Sequence, residues 1–230
     1  MKVIVFGATG MVGQGVLREC LLDPDVERVL AVGRHATGQT HEKLRALVLA
    51  DLLDYSGVSD QLAGYDACFF CLGVTSAGMS EADYRRVTVD IAVAAGSALA
   101  RQNPGMTFVF VSGAGSDATG RSRVMWARVK GEAENAILSL PFKAAYAFRP
   151  AVIRPMHGIT SRTRSYRITY AVMKPLLPLA SWLLPGQVTS TERIGRAMLN
   201  VVRHGAPKRI LENADINTAA GADAPASAKP

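Results

Sequence analysis

A glycine-rich turn near the N-terminus has the residue spacing of a dinucleotide-binding site. It directly follows the apolar run Lys2–Phe6 and consists of Gly7, Ala8, Thr9, Gly10, Met11, Val12 and Gly13. Glycines at its first, fourth and seventh positions permit a tight turn, close approach of the backbone to a pyrophosphate and close packing of the next helix. The N–H groups at the start of that helix favour negative charge, so the turn predicts bound phosphates. A plain strand-to-helix turn with incidental glycines is the alternative.

Arg34 follows the second apolar run, residues 28–32. The residue at this strand end reaches the adenosine ribose, where an acidic side chain accepts from the 2′-hydroxyl and an arginine accommodates a 2′-phosphate. Arg34 therefore predicts NADP(H) as the cofactor, and a solvated loop arginine is the alternative.

Two more pairs of residues follow strand-like runs and complete the predicted cofactor site. Asp51 and Leu52 come after the third run, where the carboxylate could accept from the adenine amino group or, equally, cap a helix. Leu72 and Gly73 end the fourth run, in a turn whose small residues would let the backbone lie along the sugar of the cofactor.

Apolar runs that are typical of buried strands alternate along the chain with segments of helical spacing. The runs cover residues 2–6, 28–32, 46–50, 67–72, 107–111 and 144–148. Because they are continuously apolar, we expect helices on both faces of a parallel sheet. The fold class is therefore α/β, with a Rossmann-type doubly wound parallel sheet and a small C-terminal substrate or lid region.

We expect one domain over residues 1–212, with a lid insertion at about 150–190 and a disordered tail over 213–230. The net charge of +7 belongs to one segment, because no Asp or Glu lies between Asn135 and Thr191. The basic residues of that segment are Lys143, Arg149, Arg154, Arg162, Arg164, Arg167 and Lys174. Such a local excess indicates an anionic ligand or surface.

The apolar run over residues 168–184 follows these arginines and is interrupted by Pro175 and Pro178. Prolines inside the run argue against a single spanning helix. The run either forms an apolar lid over a small-molecule substrate, which we favour, or lies on a membrane surface. Nucleic acid is not expected, since no aromatic platform accompanies the basic residues. The sequence says nothing about oligomeric state.

The three cysteines and four histidines indicate neither a redox pair nor a metal site. Cys68 and Cys71 lie in one strand-like run, where positions i and i+3 point to opposite faces, so we expect buried structural thiols. The histidines lack ligand spacing. The first apolar run is too short for a signal peptide, and we expect a cytoplasmic protein.

With the glycine turn, Arg34 and Asp51, the chain resembles the atypical short-chain dehydrogenase/reductase superfamily, close to the epimerase/dehydratase-like and Tat-interacting-protein-like oxidoreductases. The resemblance covers about residues 1–211 and implies that Gly7, Gly10, Gly13, Arg34 and Asp51 bind the cofactor. It further implies a catalytic serine at the end of the fifth strand, where Ser112 stands, and a catalytic Tyr-x-x-x-Lys pair on the next helix. In this superfamily the lysine also holds the nicotinamide ribose of the cofactor. Here Lys130 matches the lysine, and Trp126 occupies the position of the tyrosine.

Trp126 places the reductase mechanism in question, because an indole N–H donates a hydrogen bond but does not ionise as a phenol does. Three alternatives stay open. Another acid enters the site (Tyr84, Tyr146 or Tyr166), solvent supplies the proton, or no hydride chemistry occurs. The sequence thus predicts an NADP(H)-dependent oxidoreductase whose substrate is a small apolar carbonyl or alcohol, with or without an acid group. The alternative is a non-catalytic protein that senses the dinucleotide.

Overall fold

The structure, a computed structural model, describes residues 1–159 and 186–221. The strands are β1 (Lys2–Phe6), β2 (Arg28–Gly33), β3 (Leu44–Val48), β4 (Ala67–Phe70), β5 (Thr107–Val111), β6 (Ala144–Arg149), β7 (Val152–Arg154), β8 (Val188–Ser190) and β9 (Ile210–Glu212). The α-helices are α1 (Met11–Leu22), α2 (Glu81–Arg85), α3 (Ile91–Gln102), α4 (Met125–Leu138), α5 (Thr191–His204) and α6 (Asn213–Gly221). A 3₁₀ helix covers Ser56–Leu62, and a π-helical turn, Arg86–Asp90, joins α2 to α3.

Seven parallel strands form the main sheet, in the order β3-β2-β1-β4-β5-β6-β9. The chain builds outward from β1 through β2 to β3 and then crosses over to β4. A crevice opens where the strand order reverses, at the carboxyl ends of β1 and β4, and this is where ligands bind in doubly wound sheets. The predicted fold class is therefore confirmed.

Successive side chains of β1 belong to two apolar layers, one on each face of the sheet. Ile4 and Phe6 pack with Phe70 in the layer under α3 and α4, whereas Val3 and Val5 face the layer under α1 and α5. All five side chains are completely buried. Burial on both faces explains the continuous apolar pattern of the strands.

Helix α1 packs tightly against α5. A Cβ on Gly15 would lie 2.5 Å from Cβ of Thr191, and one on Gly195 would lie 2.7 Å from Cγ of Glu19. Small residues at these contacts let the two helices approach closely on the same face of the sheet.

Several predicted boundaries differ from the structure. The third strand ends at Val48, so residues 49–50 belong to the loop before Asp51, and the fourth ends at Phe70. The Thr189, Ser190, Thr191 and Glu192 segment has the spacing of a capping box that begins at Thr189, but the structure makes Ser190 the cap of α5, and its hydroxyl accepts from the N–H of Arg193.

The prediction of disorder from residue 213 is wrong as far as residue 221. Helix α6 is anchored there by Asn213, whose side chain accepts from the N–H of Ala151 and donates to the carbonyl oxygen of Gly186. Ile216 is completely buried. Composition alone missed these long-range contacts. Residues 222–230 and most of the predicted lid lie outside the described residues, and none of the helices that the structure describes is long and apolar enough to cross a membrane.

Candidate dinucleotide-binding site

A cleft of about 940 Å³ lies at the carboxyl ends of the strands. Every predicted site residue except Gly13 lines it. From the glycine turn these are Gly7, Ala8, Thr9, Gly10, Met11 and Val12; the others are Arg34, Asp51, Leu52, Leu72, Gly73, Ser112, Trp126 and Lys130. Tertiary folding thus brings residues from five strand ends and two helices, α1 and α4, to a single cavity.

The glycine turn has room for backbone but not for side chains. Gly7 adopts a φ of +72°, and a Cβ there would lie 2.7 Å from the backbone nitrogen of Leu72. A Cβ on Gly13 would lie 2.0 Å from the carbonyl oxygen of Gly7. Gly10 caps α1, and within the part of the chain that the structure describes no side-chain hydrogen bond caps this helix. This cradle fits a pyrophosphate, because the helix N-terminus presents backbone N–H groups to an anion.

The end of the cleft near β2 and β3 carries the residues predicted to recognise adenosine. Arg34 is exposed, and His35 lines the cleft beside it. One oxygen of Asp51 accepts from the N–H of Leu53 at 2.9 Å, so the carboxylate closes its own turn. It does not cap a helix, because the next helical segment begins at Ser56. Asp51 and the buried Leu52 both line the cleft.

A chain of hydrogen bonds fixes the hydroxyl of Ser112. The Oγ atoms of Ser112 and Ser116 lie 2.9 Å apart, and the Ser116 hydroxyl donates to the carbonyl oxygen of Gly113 at 2.7 Å. Because the single proton of Ser116 is used on Gly113, Ser112 is the donor in the serine pair. The buried Ser112 therefore turns lone pairs, and no proton, toward the cleft.

Lys130 Nζ lies at the end of β5, beside Ser112. It donates to the carbonyl oxygen of Val111 at 3.2 Å and lies 5.2 Å from the centre of the Phe110 ring. Gly73 is on the opposite wall, since a Cβ there would lie 3.9 Å from Nζ. Desolvation by the surrounding protein lowers the pKa of Lys130 to about 8, against a smaller raising effect of Glu134.

Glu134, one helical turn after Lys130, is completely buried. It accepts from Arg149, at 2.9 Å from Nε and 2.6 Å from Nη2, and Arg149 also bonds to Glu212. Glu134 raises the pKa of Arg149 by its hydrogen bonds. Arg149 is thus used internally and does not contribute to an anion-binding surface, in contrast to its place in the predicted basic segment.

Trp126 lines the cleft one helical turn before Lys130, as the resemblance implied. Of the candidate tyrosines, the two that the structure describes differ in their place relative to the cleft. Tyr84 is buried and lines the cleft, whereas the Tyr146 hydroxyl accepts from the N–H of Ala206 and is not among the lining residues. Tyr166 lies outside the described residues.

Sequence reasoning missed Ser116, His35 and Arg86. Arg86 lines the cleft from the π-helical turn, together with Tyr84, Val87 and Ile91. A π-helical turn shifts the residues after it around the helix, so regular helical spacing does not predict which of them face a cavity. No sequence pattern identified Ser116 as a site residue, because its hydrogen-bond partners depend on the path of the loop after β5.

The cysteines lie as predicted. Cys68 belongs to the apolar layer under α3 and α4, and Cys71 packs with the opposite layer, which also contains Cys20. Burial raises the pKa of each thiol, and all three are free.

The model of the NAD dependent epimerase/dehydratase family matches residues 3–176. The protein belongs to this family. Curated relatives include protein FMP52-1, mitochondrial, of Scheffersomyces stipitis, which is 28% identical over 155 residues that cover 66% of this chain and 67% of the relative. Protein fmp52, mitochondrial, of Emericella nidulans is 28% identical and covers 86% of both chains. Protein HTATIP2 of Rattus norvegicus is 27% identical over 92% of this chain and 86% of its own.

Solved structures share the fold at low identity. The Bordetella bronchiseptica enzyme WbmG in complex with NAD has a TM-score of 0.64 and 12% identity, over 92% of this chain and 72% of that one. An oxidoreductase of the short-chain dehydrogenase/reductase family from Burkholderia thailandensis has a TM-score of 0.65 and 15% identity, over 95% and 92%. The recognised resemblance is confirmed, and family membership supports a nicotinamide dinucleotide as the ligand of the cleft.

The predicted cytoplasmic location is wrong. The fungal relatives are named mitochondrial proteins, and they point to mitochondria instead. The matches span about two thirds of the length of the first fungal relatives. The prediction rested on features of secretory signal peptides, and these carry no information about a mitochondrial address.

Proposed function

We propose that this protein is an NADP(H)-dependent oxidoreductase that acts on a small apolar carbonyl or alcohol. The observation that carries the proposal is the meeting of the glycine turn, Arg34 and the Ser112–Lys130 pair in one cleft at the strand ends. The first two suit a phosphorylated dinucleotide, and the pair offers polar contacts to a substrate oxygen.

The charge of the cleft supports a phosphorylated cofactor. Asp51 is the one acidic side chain among the described residues that line it, and one of its oxygens already bonds to Leu53. The basic lining residues are Arg34, His35, Arg86 and Lys130. Arg34 stands at the end of β2, where a 2′-phosphate would be accommodated, so we assign the preference for NADP(H) over NAD(H) to this side chain.

Apolar side chains contribute to the wall of the cleft. Trp126, one helical turn before Lys130, lines it together with Pro150, Ile153 and Val74, which is 44% exposed. An apolar wall with few polar groups is typical of small-molecule sites. The arginines at positions 162, 164 and 167, on which recognition of an acidic substrate group would depend, lie outside the described residues.

A reduced nicotinamide, when bound, supplies a hydride to a carbonyl carbon. The contribution of this chain is to hold a carbonyl oxygen with the Lys130 ammonium, which donates, whereas the Ser112 hydroxyl can accept from the hydroxyl group of an alcohol substrate. The apolar wall packs against the rest of the substrate. Gly73, beside Lys130, has no side chain, so the sugar of the cofactor would lie along its backbone.

A second candidate is a dinucleotide sensor without catalysis. It is favoured by Trp126, which supplies no ionisable hydroxyl at the position that the family resemblance assigns to tyrosine. In that case the cleft would bind NADP(H), and the presence of the bound dinucleotide would control the interaction of the protein with a partner.

Binding and turnover distinguish the two candidates. Titration of the purified protein with NADPH and NADH, followed by calorimetry, should give at least a tenfold lower Kd for NADPH. Oxidation of NADPH at 340 nm should then accompany reduction of some member of a panel of apolar aldehydes, ketones and quinones. Equal Kd values would contradict the NADP(H) assignment, and tight binding without turnover across the panel would favour the sensor.

A further inference from the structure

A carbonyl that is reduced in this cleft needs one proton on its oxygen, and the position of the expected tyrosine is occupied by Trp126. The indole N–H is a hydrogen-bond donor that does not ionise in the useful range. Tyr84 of α2 also lines the cleft, and the two polar side chains that line it at the end of β5 are Ser112 and Lys130.

Ser112 is excluded as that source by its own hydrogen bonds. Its proton points to Ser116, whose proton in turn points to the carbonyl oxygen of Gly113. The Ser112 hydroxyl would have to leave a buried partner before it could donate to a substrate, and it would leave the Ser116 oxygen without a donor. With its proton donated to Ser116, the Ser112 hydroxyl can only accept a hydrogen bond from a ligand in the cleft.

Lys130, which also lies at the end of β5, has N–H donors that are available to a substrate. Its ammonium carries three N–H donors, and the described structure uses one of them on the carbonyl oxygen of Val111, the residue before Ser112. Nζ also faces Gly73 across the cleft. A substrate oxygen that accepts from Lys130 would thus lie between β4 and β5, against the crevice at the switch point.

The charges around Lys130 leave its amine able to release a proton. Glu134 is the carboxylate nearest along α4, but both of its oxygens are held by Arg149. Other titratable groups lie on the elements that pack around Lys130: Cys71 after β4, Tyr84 and Arg86 on α2 and the π-helical turn, and Asp117 in the loop after β5. The remaining charges are held in ion pairs of Arg85 with Glu132 and Asp90 and of Arg128 with Glu81. Burial favours the neutral amine and brings the pKa of Lys130 to about 8, near the range in which an acid can both donate and recover a proton.

We infer that Lys130 is itself the catalytic acid, and that it protonates the substrate oxygen in place of the missing phenol. In this step the N–H bond of the ammonium breaks and an O–H bond forms on the reduced carbonyl oxygen. The neutral amine then recovers a proton from water that enters the open cleft. In the direction of alcohol oxidation, the amine accepts the hydroxyl proton. This inference rests on the proposed oxidoreductase function, in which NADPH is the reductant.

The first test measures the Lys130 amine directly, without turnover. The seven lysines are converted to ¹³C-dimethylamines with formaldehyde, a change that keeps them titratable, and their resonances are followed by NMR from pH 6 to 11. The Lys130 resonance, assigned by its absence in Lys130→Arg, should titrate near pH 8, about two pH units below the value near 10.4 of a lysine in a model peptide. Titration of the Lys130 resonance near pH 10.4 would overturn the inference.

The second test uses Lys130→Arg, which keeps the charge but cannot release a proton, because the pKa of arginine exceeds 12. Turnover should fall by about 100-fold or more while the Kd for NADPH changes by less than about threefold. Lys143→Arg is the matched control and should leave both unchanged.

The outcomes separate this inference from the function on which it rests. Turnover by Lys130→Arg within tenfold of the wild type would overturn the role of Lys130 and leave the oxidoreductase proposal intact. Absence of turnover in the wild type would contradict both, whatever the pKa of the amine.

Discussion

Glu134 and Arg149 form a two-point ion pair, with the carboxylate completely buried and distances of 2.9 and 2.6 Å to Nε and Nη2. The pair joins α4 to the end of β6. It thereby holds the helix that carries Trp126 and Lys130 against the carboxyl edge of the sheet.

Glu134→Gln should destabilise the protein by about 3–5 kcal/mol, because it leaves the Arg149 charge partly buried without its main counter-charge. Glu212→Gln is the matched control, since Glu212 is 51% exposed and its pair with the same arginine should contribute less than about 1 kcal/mol. Urea unfolding followed by circular dichroism measures both. Equal losses for the two variants would show that burial of Glu134 does not decide the strength of the pair.

Arg34→Asp should weaken NADPH binding by about 10-fold to 100-fold, because a charge-assisted contact worth about 1.5–3 kcal/mol is replaced by repulsion of the 2′-phosphate. The Kd for NADH should change by less than about threefold, since NADH lacks that phosphate. Arg193→Asp makes the same charge change on an exposed position of α5 that does not line the cleft. Equal effects of Arg34→Asp on the two cofactors would refute the assigned role.

Lys130→Met should change the pH dependence of stability. The folded pKa of Lys130, about 8, lies below the unfolded value near 10.4, so the unfolded chain binds more protons between these pH values. The stability of the wild type relative to the variant should therefore rise by up to about 3 kcal/mol from pH 8 to 10.5. Below pH 8 the cost of burying the charged lysine is fully present, and the methionine variant should be the more stable protein.

The check is urea unfolding of both proteins at several pH values, with Lys143→Met as the control for an exposed lysine. A constant difference between Lys130→Met and the wild type across this range would contradict the lowered pKa.

Gly13→Ala should destabilise the fold by about 3 kcal/mol or more, because its Cβ would lie 2.0 Å from the carbonyl oxygen of Gly7 and backbone would have to move. Gly10→Ala meets the same oxygen at 3.3 Å and should cost less than about 1 kcal/mol. Thermal unfolding compares the two variants. A similar loss of stability in the two variants would show that the backbone at Gly13 can move to accommodate a Cβ.

The sequence by itself determined the fold class and most of the cleft. The continuous apolar runs required a sheet covered on both faces, and carboxyl ends of parallel strands meet at one edge. Residues directly after such strands, from the glycine turn to Arg34, Asp51, Gly73 and Ser112, therefore had to come together. The spacing of Trp126 and Lys130 placed both on one face of a helix. These inferences depend only on local periodicity and on the geometry of parallel sheets.

Tertiary structure decided what each polar group is able to do. Ser112 donates its hydroxyl proton to Ser116, and the carboxylate of Glu134 is paired with Arg149. The hydrogen bonds of Asn213 anchor α6. A π-helical turn brings Arg86 to the cleft. Hydrogen-bond partners and desolvation come from segments distant in the chain, so no local pattern could assign the acceptor role to Ser112 or lower the pKa of Lys130.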